Sequence, residues 1–194
     1  MKVFIVYCHP SEDSFTREVR DRFITGVESA GHSYILSDLY AMNFASDIGE
    51  SEYLREAYYR REIPLPDDVR AEQEKINASD AIAFIYPVFW TEAPAKLKGW
   101  FDRVWTFGFA YGENRGMKQL EKGLVLCVAG NTLEYFHRTG LGEAMKKVML
   151  DDRFFDRIKQ KKMVILDATS RELPERELNR EKHLKRAFEE GAKI

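Results

Sequence analysis

Four short runs of the chain are apolar without alternation: Lys2 to Tyr7, Ala81 to Tyr86, Gly123 to Val128 and Met163 to Ala168. They are rich in Val and Ile, the pattern of strands buried on both faces, as in a parallel sheet covered by helices. A fifth run, Ser33 to Leu39, is shorter and mixed, which suits a strand near a sheet edge. Between the runs the spacing turns helical. Ser14 to Ala30 sets Phe15, Val19, Phe23, Ile24 and Val27 on one stripe, and Gly31 follows where a helix would stop. Asp67 to Ala78 has acidic residues in its first turn, and Pro94 to Val104 opens on a proline at a favoured position. Gly140 to Leu150 and Glu175 to Glu190 are further helical stretches. This alternation predicts an α/β doubly wound sheet forming a single domain over residues 1–194, with no repeat or linker. The least regular part is Tyr40 to Pro66, with Tyr40, Tyr53, Tyr58 and Tyr59 among charges. It reads equally well as a functional excursion or interface and as a decorated surface loop.

Composition narrows the classes. With 44% hydrophobic and 32% charged residues the chain is that of a soluble globular protein. Lys+Arg is 30 and Asp+Glu is 32, a net charge of −2, which argues against a nucleic-acid surface. The longest apolar stretch, around Ala81 to Trp90, is too short to cross a bilayer, and the start shows no secretion signal, so a cytoplasmic location is expected. Cys8 and Cys127 make neither a disulfide framework nor a zinc site, and no metal is expected. Both follow apolar runs and read first as small buried hydrophobes.

In open α/β sheets ligands bind beyond the carboxyl ends of the strands, which here means three loops. The first, CHPSEDSF, has neither a dinucleotide fingerprint nor a P-loop. It offers an imidazole, hydroxyls and the N–H groups of a helix N-terminus, a natural anion site, and His9 favours phosphate binding over a plain N-cap role for Ser14. The second, PVFWTEAP, has aromatics that fit either a flat pocket or the core and an interface. The third, AGNTLEYFH, joins Gly130 to two possible proton donors, Tyr135 and His137.

Together these stretches resemble the flavodoxin-like NAD(P)H:quinone oxidoreductase family. The likeness is carried by HPSEDSF (His9 to Phe15), GHSYILSDLYAMNF (Gly31 to Phe44), AEQEKINASDAIAFIYPVFW (Ala71 to Trp90) and, most strongly, APAKLKGWFDRVWTFGFAYG (Ala93 to Gly112). It runs nearly continuously from Lys2 to about Gly140 and fades beyond Arg153. The resemblance implies a flavodoxin-like three-layer α/β/α fold with a five-stranded parallel sheet, and a homodimer with one flavin per subunit at the boundary. FAD is favoured and FMN is the alternative. By position His9, Ser14 and Phe15 match the flavin phosphate and ribityl site. Pro87, Val88, Phe89 and Trp90 match the loop that holds the isoalloxazine edge, and Ala129, Gly130 and Asn131 fall at the other end of the ring. Tyr111 matches an aromatic that the second subunit places over the flavin.

Three departures stand against the family pattern. Its T-T-G-G reads Val128-Ala129-Gly130-Asn131 here, so hydroxyl contacts are replaced at best by backbone N–H groups. Thr91 stands where an aromatic is common. Tyr135 and His137 are closer together than the family's tyrosine/histidine pair. The chain also lacks the extra C-terminal region of longer members.

The implied reaction is two-electron, ping-pong reduction of a quinone, nitroaromatic or azo compound by NAD(P)H through flavin N5. Donors from Gly130, Asn131 and Tyr135 would face the charge near N1 and O2. The alternative of another class is a flavin-binding regulatory subunit of a membrane transporter. An electron carrier fits poorly, because such proteins are strongly acidic, and a domain that has lost its flavin is the remaining reading.

Overall fold

The computed structural model describes residues 1–174 and 176–194. The elements run β1 (Lys2–Tyr7), α1 (Phe15–Ser29), β2 (Ser33–Asp38), α2 (Glu50–Ala57), α3 (Asp67–Asn77), β3 (Ala81–Pro87) and α4 (Ala95–Val104). They continue with β4 (Leu120–Val128), α5 (Leu133–Thr139), α6 (Leu141–Lys146), a π-helical segment (Lys147–Phe154), β5 (Ile158–Leu166) and α7 (Arg176–Lys193). The five strands form one parallel sheet in the order β2-β1-β3-β4-β5. Along β1 successive side chains alternate between faces. Phe4 and Val6 pack with Ile76 of α3 and with Leu97 and Trp100 of α4, whereas Val3, Ile5 and Tyr7 pack with Val19 and Phe23 of α1 and Leu184 of α7. Helices therefore cover both faces, which makes the expected three-layer flavodoxin-like sandwich.

Two glycines set how closely α1 and α7 approach. A Cβ at Gly26 would lie 2.1 Å from the Phe188 carbonyl oxygen, and one at Gly191 would lie 2.1 Å from that of Phe23. The irregular stretch 40–66 contains α2 and is pinned from beneath by Arg103, whose side chain is only 4% exposed. Its guanidinium donates to Glu52 at 2.8 Å, to the Ala45 carbonyl at 2.8 Å and to Asp68 at 2.6 Å. Among the described residues no helix is long and apolar enough to cross a membrane.

Differences from the sequence expectation sit where a strand or helix is only half covered. β4 starts at Leu120 and β5 at Ile158, so β5 includes Lys159, Lys161 and Lys162, all exposed at the sheet edge, and it ends before Ala168. Edge lysines of this kind discourage pairing with another chain, and they hide a strand from an apolar-run reading. The helical stretch Gly140 to Leu150 is not one helix. Gly140 at φ +74° closes α5 and opens α6, after which the backbone widens into the π-helical segment. Glu175, the expected start of the last helix, lies outside the described residues, and α7 runs from Arg176.

Candidate functional site

The sheet order reverses between β1 and β3, whose chains leave to helices on opposite faces, and ligands of such sheets bind outside the carboxyl ends of the strands at this point. In the first loop His9 Nδ1 folds back on Ser11, 3.0 Å from its N–H and 2.9 Å from its carbonyl oxygen, which turns Nε2 outward. Ser11 Oγ accepts from the Asp13 N–H, closing a tight turn into Ser14. Ser14 caps α1: its Oγ accepts the Arg17 N–H at 3.2 Å. The N–H groups of Ser14, Phe15 and Thr16 have no acceptor among the described residues, so a fifteen-residue helix presents its positive end here. Beside it lies a hollow of about 350 Å³ lined by Tyr7, His9, Arg17, Arg20, Asp38 and Tyr40. Arg20 lies over the Tyr7 ring at 4.6 Å and contacts Asp38 at 3.4 Å.

The second loop is a two-residue hairpin turn. Phe89 and Glu92 exchange both backbone hydrogen bonds, at 2.9 and 3.0 Å, and the corners Trp90 and Thr91 have φ of +51° and +66°. Two positive φ values define a type I′ turn, which favours Asn and Gly. Neither corner is one of these, and each carries strain of about 1–2 kcal/mol. The turn holds the Trp90 side chain fully in solvent, at 100% exposure, with Phe89 half-exposed beside it and Pro87 and Val88 leading up from the core.

The third loop is stitched to the chain after β5. The carbonyls of Ala129, Gly130 and Asn131 accept from the N–H groups of Thr169, Ser170 and Ala168. In a trans peptide the N–H points opposite the carbonyl. The amides of Gly130, Asn131 and Thr132 are therefore turned away from the 168–170 segment. Loss of the hydroxyls at this loop thus leaves a row of outward N–H donors. With the α1 N-terminus and the Trp90 turn, the three loops fit a flat, anionic, hydrogen-bond-accepting ring system with a phosphate tail.

Tyr111 is placed differently. Its hydroxyl donates to Glu56 at 2.8 Å, and the same carboxylate accepts the Phe107 N–H at 2.7 Å and a bond from Arg55 at 2.6 Å. Burial and Glu56 both push the Tyr111 pKa upward, so the phenol stays protonated. It lines a second hollow, about 510 Å³, with Glu92, Trp105 and Arg153. Tyr135 and His137 lie on α5, not in the loop. Two positions apart on a helix they point about 200° from each other. Tyr135 packs against Phe136 in the core, and exposed His137 lines a hollow of about 690 Å³ at the free edge of β5. The structure does not bring His137 together with the three loops. Cys8 and Cys127 are buried thiols; burial pushes Cys8 up to about 12 and Cys127 up as well.

Sequence reasoning missed Glu56, Glu92 and Arg153, because their partners lie 51 to 61 positions away in the chain. It also missed Arg20 and Asp38, although a charge at the end of β2 is a readable signal for a nucleotide.

A family profile described as flavodoxin-like fold matches residues 1–189. The solved structure of an NAD(P)H:quinone oxidoreductase from Methanothermobacter marburgensis is 47% identical, covers 99% of this chain and 96% of its own, and superposes with a TM-score of 0.92. The human ribosyldihydronicotinamide dehydrogenase [quinone] is 31% identical over 159 residues, 72% of this chain and 68% of that protein. An FMN-dependent NADH-azoreductase from Bacillus anthracis, solved in complex with FMN, shares the fold at a TM-score of 0.71 with 17% identity, covering 99% of this chain and 98% of its own.

Proposed function

This chain belongs to the family of the flavodoxin-like fold, and from that premise we propose that it is a flavin-bearing reductase passing two electrons from NAD(P)H to a quinone, nitroaromatic or azo acceptor. The observation that carries the reading is the Trp90–Thr91 turn: a strained backbone, at the carboxyl end of a central strand, that holds an indole wholly in solvent. Strain and exposed aromatic surface persist together where a ligand or partner uses them. The relatives named quinone oxidoreductases and dehydrogenases support the reaction class, and nothing in the comparisons favours the transporter-subunit reading.

A bound flavin supplies the two-electron hydride chemistry; the chain's part is to hold and tune it. Pro87, Val88, Phe89 and Trp90 form one wall for the ring. The outward amides of Gly130, Asn131 and Thr132 supply donors at an edge where negative charge develops on reduction. Ser14, Phe15 and the α1 N-terminus bind phosphate, with His9 beside them. FAD is favoured over FMN on the hollow beside α1. Tyr40 offers a stacking face there, Asp38 an acceptor for a ribose hydroxyl and Arg17 a cation for a second phosphate. Tyr135, rooted in the core beside the third loop, is assigned to the catalytic side, and His137, on the other side of α5, is not. A second copy of the chain, covering the exposed Tyr53, Tyr58 and Tyr59 and bringing its Tyr111 near the ring, completes the site as a homodimer. The location is cytoplasmic.

Donor and acceptor would share one face, so steady-state kinetics test the proposal. Double-reciprocal plots at several quinone concentrations are expected to be parallel. Intersecting lines would mean both substrates bind at once and would contradict a shared site.

A further inference from the structure

We infer that Arg153 is a positioning residue: through Glu92 it holds the Trp90–Thr91 turn in its strained shape, and with it the wall on which the cofactor ring rests. The inference rests on the flavin reading above only for that last clause. Arg153 is the penultimate residue of the π-helical segment, and its side chain is 8% exposed. Its guanidinium lies over the Phe101 ring at 4.5 Å and donates to Glu92 Oε1 at 3.1 Å and to Oε2 at 3.4 Å. Its own carbonyl accepts from Trp105 Nε1 at 2.8 Å. Arg153 is thus fixed at both ends, to Phe101 of α4 and to Trp105 just past its end, two rings that pack edge-on at 5.4 Å.

Glu92 is the fourth residue of the turn. Its backbone closes both bonds to Phe89, and its Oε1 accepts the Ala93 N–H at 2.7 Å. The carboxylate therefore ties the exit of the turn to a buried cation. A turn with Asn-Gly corners would need no such tie; one with Trp and Thr at positive φ tends to open, and a two-pronged, stacked guanidinium resists that. The π-helical segment supplies the geometry. Insertions of this kind inside helices recur at functional sites, and this one sets Arg153 beneath the turn.

The test is hydrogen exchange of the peptide spanning 86–94 in the flavin-free protein, run beside flavin titration of the same variants. Arg153→Met is expected to speed exchange of the Phe89 and Glu92 amides, and to weaken flavin binding, each by about tenfold, the loss of one charge-assisted bond. Arg153→Lys should fall between. Adding Thr91→Gly, which removes the strain at one corner, should return the exchange of Arg153→Met toward the parent value. A merely structural Arg153 would lower thermal stability with no recovery of exchange on adding Thr91→Gly, and that result overturns the inference. So does unchanged exchange in Arg153→Met. If the parent protein binds no flavin while exchange still responds as expected, the clamp on the turn is supported and the flavin reading falls.

Discussion

A tryptophan with its whole side chain in water is unusual for so apolar a group, and Trp90 is held there by backbone strain rather than left over at a surface. Removing it therefore separates folding from binding. Trp90→Ala is expected to leave unfolding free energy within about 0.5 kcal/mol, as for a surface change. Flavin affinity, read by quenching of flavin fluorescence, should drop by about tenfold, the worth of one aromatic contact. Equal loss of stability and affinity would place the indole in the core instead. The thiols give a second residue-level outcome. Burial raises the pKa of Cys8 to about 12 and of Cys127 further, so both stay neutral at every pH below that range. A thiol reagent at pH 8 should find no reactive group in the native protein and two in denaturant; a fast-reacting native thiol would contradict the packing.

At the scale of elements, stability is concentrated at two joints. Gly191→Ala drives a methyl into the Phe23 carbonyl, and overpacking of this kind costs about 1–3 kcal/mol. Arg103→Met strands Glu52 and leaves Asp68 with less compensation, a loss of about 3 kcal/mol, and should loosen the 40–66 excursion. Urea unfolding checks both, and a midpoint unchanged by either would remove the joint in question. The same elements show what a sequence reveals. β1 and β3 are buried on both faces, so an unbroken apolar run betrays them almost to the residue. β5 is exposed on both faces over Lys159 to Lys162, and that stretch reads as loop. The start of α1 at Ser14 is legible because capping is local chemistry, although the sequence ranks that cap below phosphate binding; the ion pair of Arg153 with Glu92 is not legible, because it depends on where the chain returns after 61 positions. The type I′ turn escaped for the opposite reason: Trp and Thr are the wrong residues for it, and only tertiary contacts impose it.

For the whole molecule, three loops that look unremarkable singly acquire meaning by convergence at the point where the sheet order reverses. A helix N-terminus, a strained aromatic turn and a row of outward amides are each weak signals. Together they suit one ligand, a planar ring that accepts hydrogen bonds along an edge and carries phosphate. The near-neutral charge, −2, agrees with a reductase of small acceptors better than with a carrier that steers to protein partners. Chromatography of the cofactor released from the protein is expected to give FAD, and FMN alone would mean that the hollow beside α1 serves no adenylate. The most direct test of the whole account is the visible spectrum of the protein after incubation with flavin and removal of the excess. The account predicts bound flavin whose absorption bleaches on anaerobic addition of NAD(P)H and returns with a quinone. A protein that retains no flavin, or whose bound flavin ignores NAD(P)H, would contradict it.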